Sequence, residues 1–134
     1  MQISKNFNIK EFESKDGTKT PAEAVIRIKR IANELQILRT IIDQPIIINS
    51  GYRSKEHNKK VGGVENSLHL IGLAVDIHVK GLNSKILYLV MENLIKRKII
   101  SNGGLGLYDT FVHYDLGDVR RWDNRNKKDG YEIL

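Results

Sequence analysis

The chain has 134 residues, of which 40% are apolar and 28% charged, with a net charge of +6. That length fits one domain over residues 1–134, with a core at about 7–122 and a polar C-terminal tail. Cysteine is absent, which excludes disulfides and leaves histidine and carboxylate side chains as ligands for any transition metal.

The N-terminal stretch Met1 to Lys10 lacks the apolar centre of a signal peptide, so a product made in the cytoplasm is expected. Residues 1–19 read as an extended lead-in with a short helical turn, docked by Phe7, Ile9 and Phe12. Thr20 as N-cap, Pro21 at the first helical position and Glu23 as the capping-box acid then open a helix. Its apolar stripe of Val25, Ile28, Ile31, Ala32, Leu35, Leu38 and Ile42 marks it as scaffold. Pro45 to Tyr52 reads as a strand, and Ser54 caps a short helix reaching about Lys60. Val61-Gly62-Gly63-Val64 breaks that helix, and a polar loop leads to a second strand, Ala74 to Val79.

A second long helix is expected over 83–98, with Ile86, Leu87, Val90, Met91, Leu94 and Ile95 on one face. A hairpin-like pair follows at roughly 104–108 and 110–116. From Asp118 the sequence reads as a polar tail, with Arg120, Arg121, Arg125, Lys127 and Lys128 in a solvated cluster and Trp122 as its anchor. Helices flanking a few strands, without regular βαβ alternation, point to an α+β fold with a small, mostly antiparallel sheet. No apolar run is long enough to span a membrane. The basic balance favours an anionic partner such as cell-wall polymer. Nucleic acid is not expected, because no recognition motif or aromatic platform is present.

Four histidines occur: His57, His69, His78 and His113. Strand alternation places Asp76 on one sheet face with Ala74 and His78, and His113 on one face with Phe111 and Asp115. If the two strands are neighbours, His69, Asp76 and His113 make the N/N/O set that catalytic zinc takes, with a fourth position left for water. Zinc lowers the pKa of such a water toward about 7.

The ordered segments Ser50-Gly51-Tyr52-Arg53-Ser54-Lys55-Glu56-His57-Asn58, Val61-Gly62-Gly63, Asn66-Ser67-Leu68-His69 and Gly72-Leu73-Ala74-Val75-Asp76 resemble the M15 family of zinc D-Ala-D-Ala carboxypeptidases. Gly104-Leu105-Gly106-Leu107-Tyr108 and Phe111-Val112-His113-Tyr114-Asp115 are similar to its C-terminal motif. The resemblance implies a D-Ala-D-Ala carboxypeptidase/Hedgehog-like fold, bound Zn²⁺ and a hydrolase acting on peptidoglycan stem peptides; a monomer is expected. It implies His69, Asp76 and His113 as metal ligands, Arg53 as the group that binds a substrate carboxylate, and Ser67 as a residue that orients His69 or touches substrate.

Some relatives carry a Glu or Asp three residues before the last ligand, where this chain has Thr110, with Asp109 one residue further back at an expected turn. Asp115 shares a face with His113 and is similar to an acidic residue of the family's motif, so it is the favoured general base, the alternative being that it orients a ligand. His78 and His57 are expected to serve structure rather than chemistry. Three other readings stay open: an endopeptidase of the phage-endolysin kind, a zinc-dependent wall-binding module without catalysis, and a nucleic-acid binder suggested only by the charge.

Overall fold

The computed structural model describes residues 1–126. Lys127 and Lys128, assigned above to the basic cluster, lie outside the described residues. The lead-in forms a 3₁₀ turn over Ile9–Phe12, capped by Asn8, whose side chain accepts from the Lys10 N–H while Glu11 accepts from the Asn8 N–H. This reciprocal pair is a capping box. Phe7 and Phe12 bury their rings edge to face at 6.0 Å.

Helix α1 spans Ala22–Ile42 and buries Ala24, Ile28, Ile31, Ala32, Leu35 and Leu38. Its start differs from the sequence reading. Pro21 is the N-cap, with ψ at 151°, and no side chain caps the helix. Proline favours an extended residue before it, and its own ring permits the extended ψ of a cap, so the helix begins one residue later. Thr20 Oγ1 is left buried without a hydrogen-bond partner among the described residues.

Strand β1 covers Ile47–Ser50, shorter than the 45–52 expected. Beyond it the backbone turns to other partners: Tyr52 N–H donates to Phe12 O and Arg53 N–H to His69 O. Helix α2 spans Lys55–Lys60, with Ser54 Oγ accepting from the His57 N–H as expected of a cap. A 3₁₀ turn at Leu68–Ile71 is capped by Ser67 and closed by Gly72 at φ 80°, a left-handed conformation that glycine adopts without strain. Strand β2 follows at Ala74–His78.

Helix α3 spans Ser84–Lys96, capped by Asn83. Leu87, Tyr88, Met91, Leu94 and Ile95 form its buried stripe. Ile86, expected on that stripe, stands about 100° around the helix from Leu87 and is exposed.

Strands β3 (Gly104–Leu107) and β4 (Val112–Asp115) pair antiparallel. The polar tail is corrected: Arg120–Asp123 form strand β5, parallel to β3. Arg120 and Trp122 share the cleft face while Arg121 and Asp123 pair with Glu92 and Arg125, and the charged side chains disguise the strand in a sequence reading. The sheet order is β1-β2-β4-β3-β5, and all pairs except β3–β5 are antiparallel.

This register separates two faces. Val75, Ile77, Leu105, Leu107, Val112 and Tyr114 are fully buried and join residues of α1 and α3 in one apolar cluster. Ala74, Asp76, His113, Asp115, Gly104, Gly106, Arg120 and Trp122 occupy the other face, as the pairings Asp76↔His113, Ala74↔Asp115, Gly104↔Arg120 and Gly106↔Trp122 require. Among the described residues, no helix is long and apolar enough to cross a membrane.

Candidate metal centre

The polar face floors a cleft of about 850 Å³. One rim is the loop from Val61 to Leu68. The other carries Tyr108 and Phe111, stacked at 4.4 Å and 10°. Trp122 closes an end, its Nε1–H donating to the Tyr108 hydroxyl at 3.0 Å.

Three expected ligands meet on this floor. His69 arrives from the turn that Ser67 caps, Asp76 from β2 and His113 from β4, and one donor atom from each lies within 4.8 Å of the others. His69 Nε2 is 3.3 Å and His113 Nδ1 is 3.0 Å from the same oxygen, Asp76 Oδ1. Ser67 Oγ accepts from the His69 N–H at 3.1 Å and so fixes the backbone of that ligand.

The outer nitrogens of both rings decide what the inner ones present. His69 Nδ1 lies 2.7 Å from the Gly51 carbonyl, which only accepts, so Nδ1 carries a proton. His113 Nε2 lies 2.7 Å from Asp115 Oδ2, which places a proton there too. In neutral rings, His69 Nε2 and His113 Nδ1 then point lone pairs at a carboxylate oxygen. Three acceptors converging this closely repel unless a cation or a proton lies among them. The donor set therefore fits a divalent metal, and two imidazoles with one carboxylate suit zinc.

A proton in that gap would relieve the same repulsion, and the electrostatics of the pair show its pull. Burial opposes the charged form of Asp76, but hydrogen bonds from His113 and His69 outweigh it and hold the carboxyl well below the usual range. Burial also opposes protonation of His113. Hydrogen bonds to Asp115 and Asp76 prevail and raise its pKa above 6.5.

Around this centre, Arg53 spreads its guanidinium over three acceptors: Ser50 Oγ at 3.0 Å, Asn58 Oδ1 at 3.2 Å and Asp76 Oδ2 at 3.0 Å. It holds the second oxygen of Asp76 while facing the cleft. Asp115 is fully buried. Its Oδ1 accepts from the Gly104 and Gly117 N–H groups, and its Oδ2 from His113 and Arg120. Burial would raise its carboxyl; the His113 and backbone hydrogen bonds lower it below the ordinary 3.8.

Thr110 and Asp109 stay out of the cleft, and Asp109 accepts from the Asn126 N–H. His78 hydrogen-bonds Asn49 beyond the cleft, and His57 does not line it. The reading from sequence missed Arg120 as a cleft residue and the Tyr108–Phe111–Trp122 wall. One signal was present. Gly104 and Gly106 alternate on the polar face of β3, and a Cβ at either would collide with Asp115 or with the Trp122 ring. Such a bare track leaves room for large side chains on the neighbouring strands.

The model of the family described as Peptidase M15 matches residues 4–115. The chain belongs to the peptidase M15 family. It is 33% identical over 90 residues to "Zinc D-Ala-D-Ala carboxypeptidase" of Streptomyces albus G, an alignment covering 66% of this chain and 35% of that protein. It is 35% identical over 79 residues to "Probable peptidoglycan L,D-endopeptidase MepK" of Haemophilus influenzae, covering 54% of this chain and 39% of the relative. The chain thus spans well under half the length of either curated relative.

Proposed function

We propose that this M15 family member is a zinc-dependent peptidase that hydrolyses peptide bonds in the stem peptides of bacterial peptidoglycan. The observation that carries the reading is the convergence of His69 Nε2, Asp76 Oδ1 and His113 Nδ1, with each ring's other nitrogen tied to a fixed acceptor. The names of the two relatives support the substrate class.

His69, Asp76 and His113 would hold the zinc. When bound, zinc supplies Lewis acidity that polarises a scissile carbonyl and acidifies water. The chain's own residues do the positioning. Gly51 O fixes the tautomer of His69, and Asp115 fixes that of His113. Arg53 keeps Asp76 turned toward both histidines, and its remaining N–H groups face the cleft as donors to a substrate carboxylate. Ser67 holds the His69 turn at the cleft's edge.

For Asp115 the four hydrogen bonds support the positioning role over that of general base. To take a proton from water, Oδ2 must first give up Arg120 or His113. Among the described residues, Asp76 and Asp115 are the only acids that line the cleft.

The test is digestion of purified peptidoglycan with and without a chelator, with products read by mass spectrometry. Chelator-sensitive release of terminal D-Ala supports a carboxypeptidase. A cut further inside the stem supports an endopeptidase, the activity in the second relative's name. Intact peptidoglycan in the presence of zinc overturns the peptidase reading in favour of a wall-binding module.

A further inference from the structure

Three arginines line the cleft, and two are anchored by several hydrogen bonds within the protein. Arg53 places Nε, Nη1 and Nη2 each on an internal acceptor. Arg121 grips both oxygens of Glu92 and also donates to Gly103 O, Arg120 O and Asn102 Oδ1. Arg120 differs. Its side chain is 55% exposed, and among the described residues it donates one hydrogen bond, from Nη2 to Asp115 Oδ2 at 3.0 Å.

The guanidinium is nevertheless held in place. Its Cζ lies 5.0 Å from the centre of the Trp122 ring. A cation over a ring face is fixed without using its N–H groups, which leaves an edge of donors for a planar anion. Asp115 pins one corner from below. Arg53 and Arg120 come from opposite ends of the sheet, off β1 and β5. Between them runs a continuous chain of contacts through Asp76, His113 and Asp115, each between 2.7 and 3.0 Å. A polar centre with a cation at each end matches a peptide bearing more than one carboxylate.

We propose that Arg120, stacked on Trp122, is a specificity-determining residue that binds a free carboxylate of the stem peptide on the side of the metal centre away from Arg53. The inference rests on the stem-peptide reading above and deepens it. The carboxylate is either the peptide's C-terminus or an acidic side chain, and both present the same planar anion.

The experiment is calorimetric binding of an uncleavable reduced-amide stem peptide to the zinc-loaded protein. Three forms are compared: all carboxylates free, the terminal one amidated, and the side-chain ones amidated. Wild type is expected to bind one amidated form about ten- to a hundredfold more weakly, the effect of losing a charge-assisted hydrogen-bond pair. Arg120→Gln is expected to lose that discrimination, and Arg120→Lys to keep part of it. The amidated form that loses its penalty identifies which carboxylate Arg120 meets.

A uniform weakening of all three forms in Arg120→Gln overturns the proposal, because a role exerted only through Asp115 is blind to the peptide's charge. Discrimination retained in full by Arg120→Gln overturns it too and assigns the selectivity to Arg53. So does a wild type that binds all three forms equally. Cleavage of the ordinary peptide is followed in parallel. Its failure counts against the peptidase reading alone, since the binding comparison involves no hydrolysis.

Discussion

His113 and Asp115 lie two residues apart on one strand, and their side chains are joined: Nε2 of the imidazole donates to Oδ2 of the carboxylate at 2.7 Å. Two residues along a strand span about 6.5–7 Å, so the pair meets because both side chains lean over the same face. The contact selects the tautomer that leaves Nδ1 free for a metal. Asp115→Asn is expected to lower zinc affinity by about ten- to a hundredfold, with activity falling in step. Competition against a chelating dye measures the affinity. Undiminished zinc binding with activity abolished would return Asp115 to the role of base.

His69→Ala leaves the metal with one imidazole and one carboxylate. Stoichiometric zinc binding is expected to disappear, and hydrolysis with it, while far-UV circular dichroism stays unchanged. Chelator treatment of wild type should produce the same loss reversibly, with activity restored by added zinc. Elemental analysis of the dialysed variant checks the first claim.

Gly106 faces the ring of Trp122 with no space for a Cβ. Gly106→Ala is expected to push the indole off the sheet and destabilise the protein by about 1–3 kcal/mol. Trp122 is the only tryptophan, and its ring centre is 5.1 Å from that of His113. Its emission is therefore a direct readout of this wall, and a red shift should accompany the lower urea midpoint.

Thr20 gives a prediction of opposite sign. A capping hydroxyl would make Thr20→Val destabilising by about 1 kcal/mol. The buried Oγ1 without a partner makes the same isosteric change neutral or stabilising. Thermal unfolding of the variant separates the two.

Asp16 links the lead-in to α2. Ser54 Oγ hydrogen-bonds its carboxylate, with further bonds from Ser14 and the Thr18 N–H, and together they hold its pKa far below 3.8. A depressed carboxyl stabilises the fold above its unfolded pKa and loses that contribution as pH falls through the folded value. Asp16→Asn should therefore shrink the drop in stability between neutral pH and about pH 3. Denaturant midpoints across that range test it, and an unchanged acid limb would count against the linkage.

Much of the fold was legible because its signals are local. The α1 stripe from Ile28 to Leu38 and the Ser54 and Ser67 caps depend on residues a few positions apart. The alternation around Asp76 and His113 likewise gave their faces before their pairing was known. What escaped notice depends on partners far along the chain. β5 carries arginines at two positions and pairs only with a strand that sequence order does not place beside it. The engagement of Asp115 by Gly104, Gly117 and Arg120 is a product of three separate segments, so spacing alone showed its face but not these partners.

The pairing Asp76↔His113 at the middle of the sheet has one more consequence. A slip of one residue between β2 and β4 would turn His113 into the apolar layer and bring Val112 or Tyr114 to the cleft. The three ligand atoms come together in a single alignment of these strands. A metal ion held by these three residues would therefore act during refolding as a proofreader, rewarding the chains that have paired correctly and ignoring those that have not.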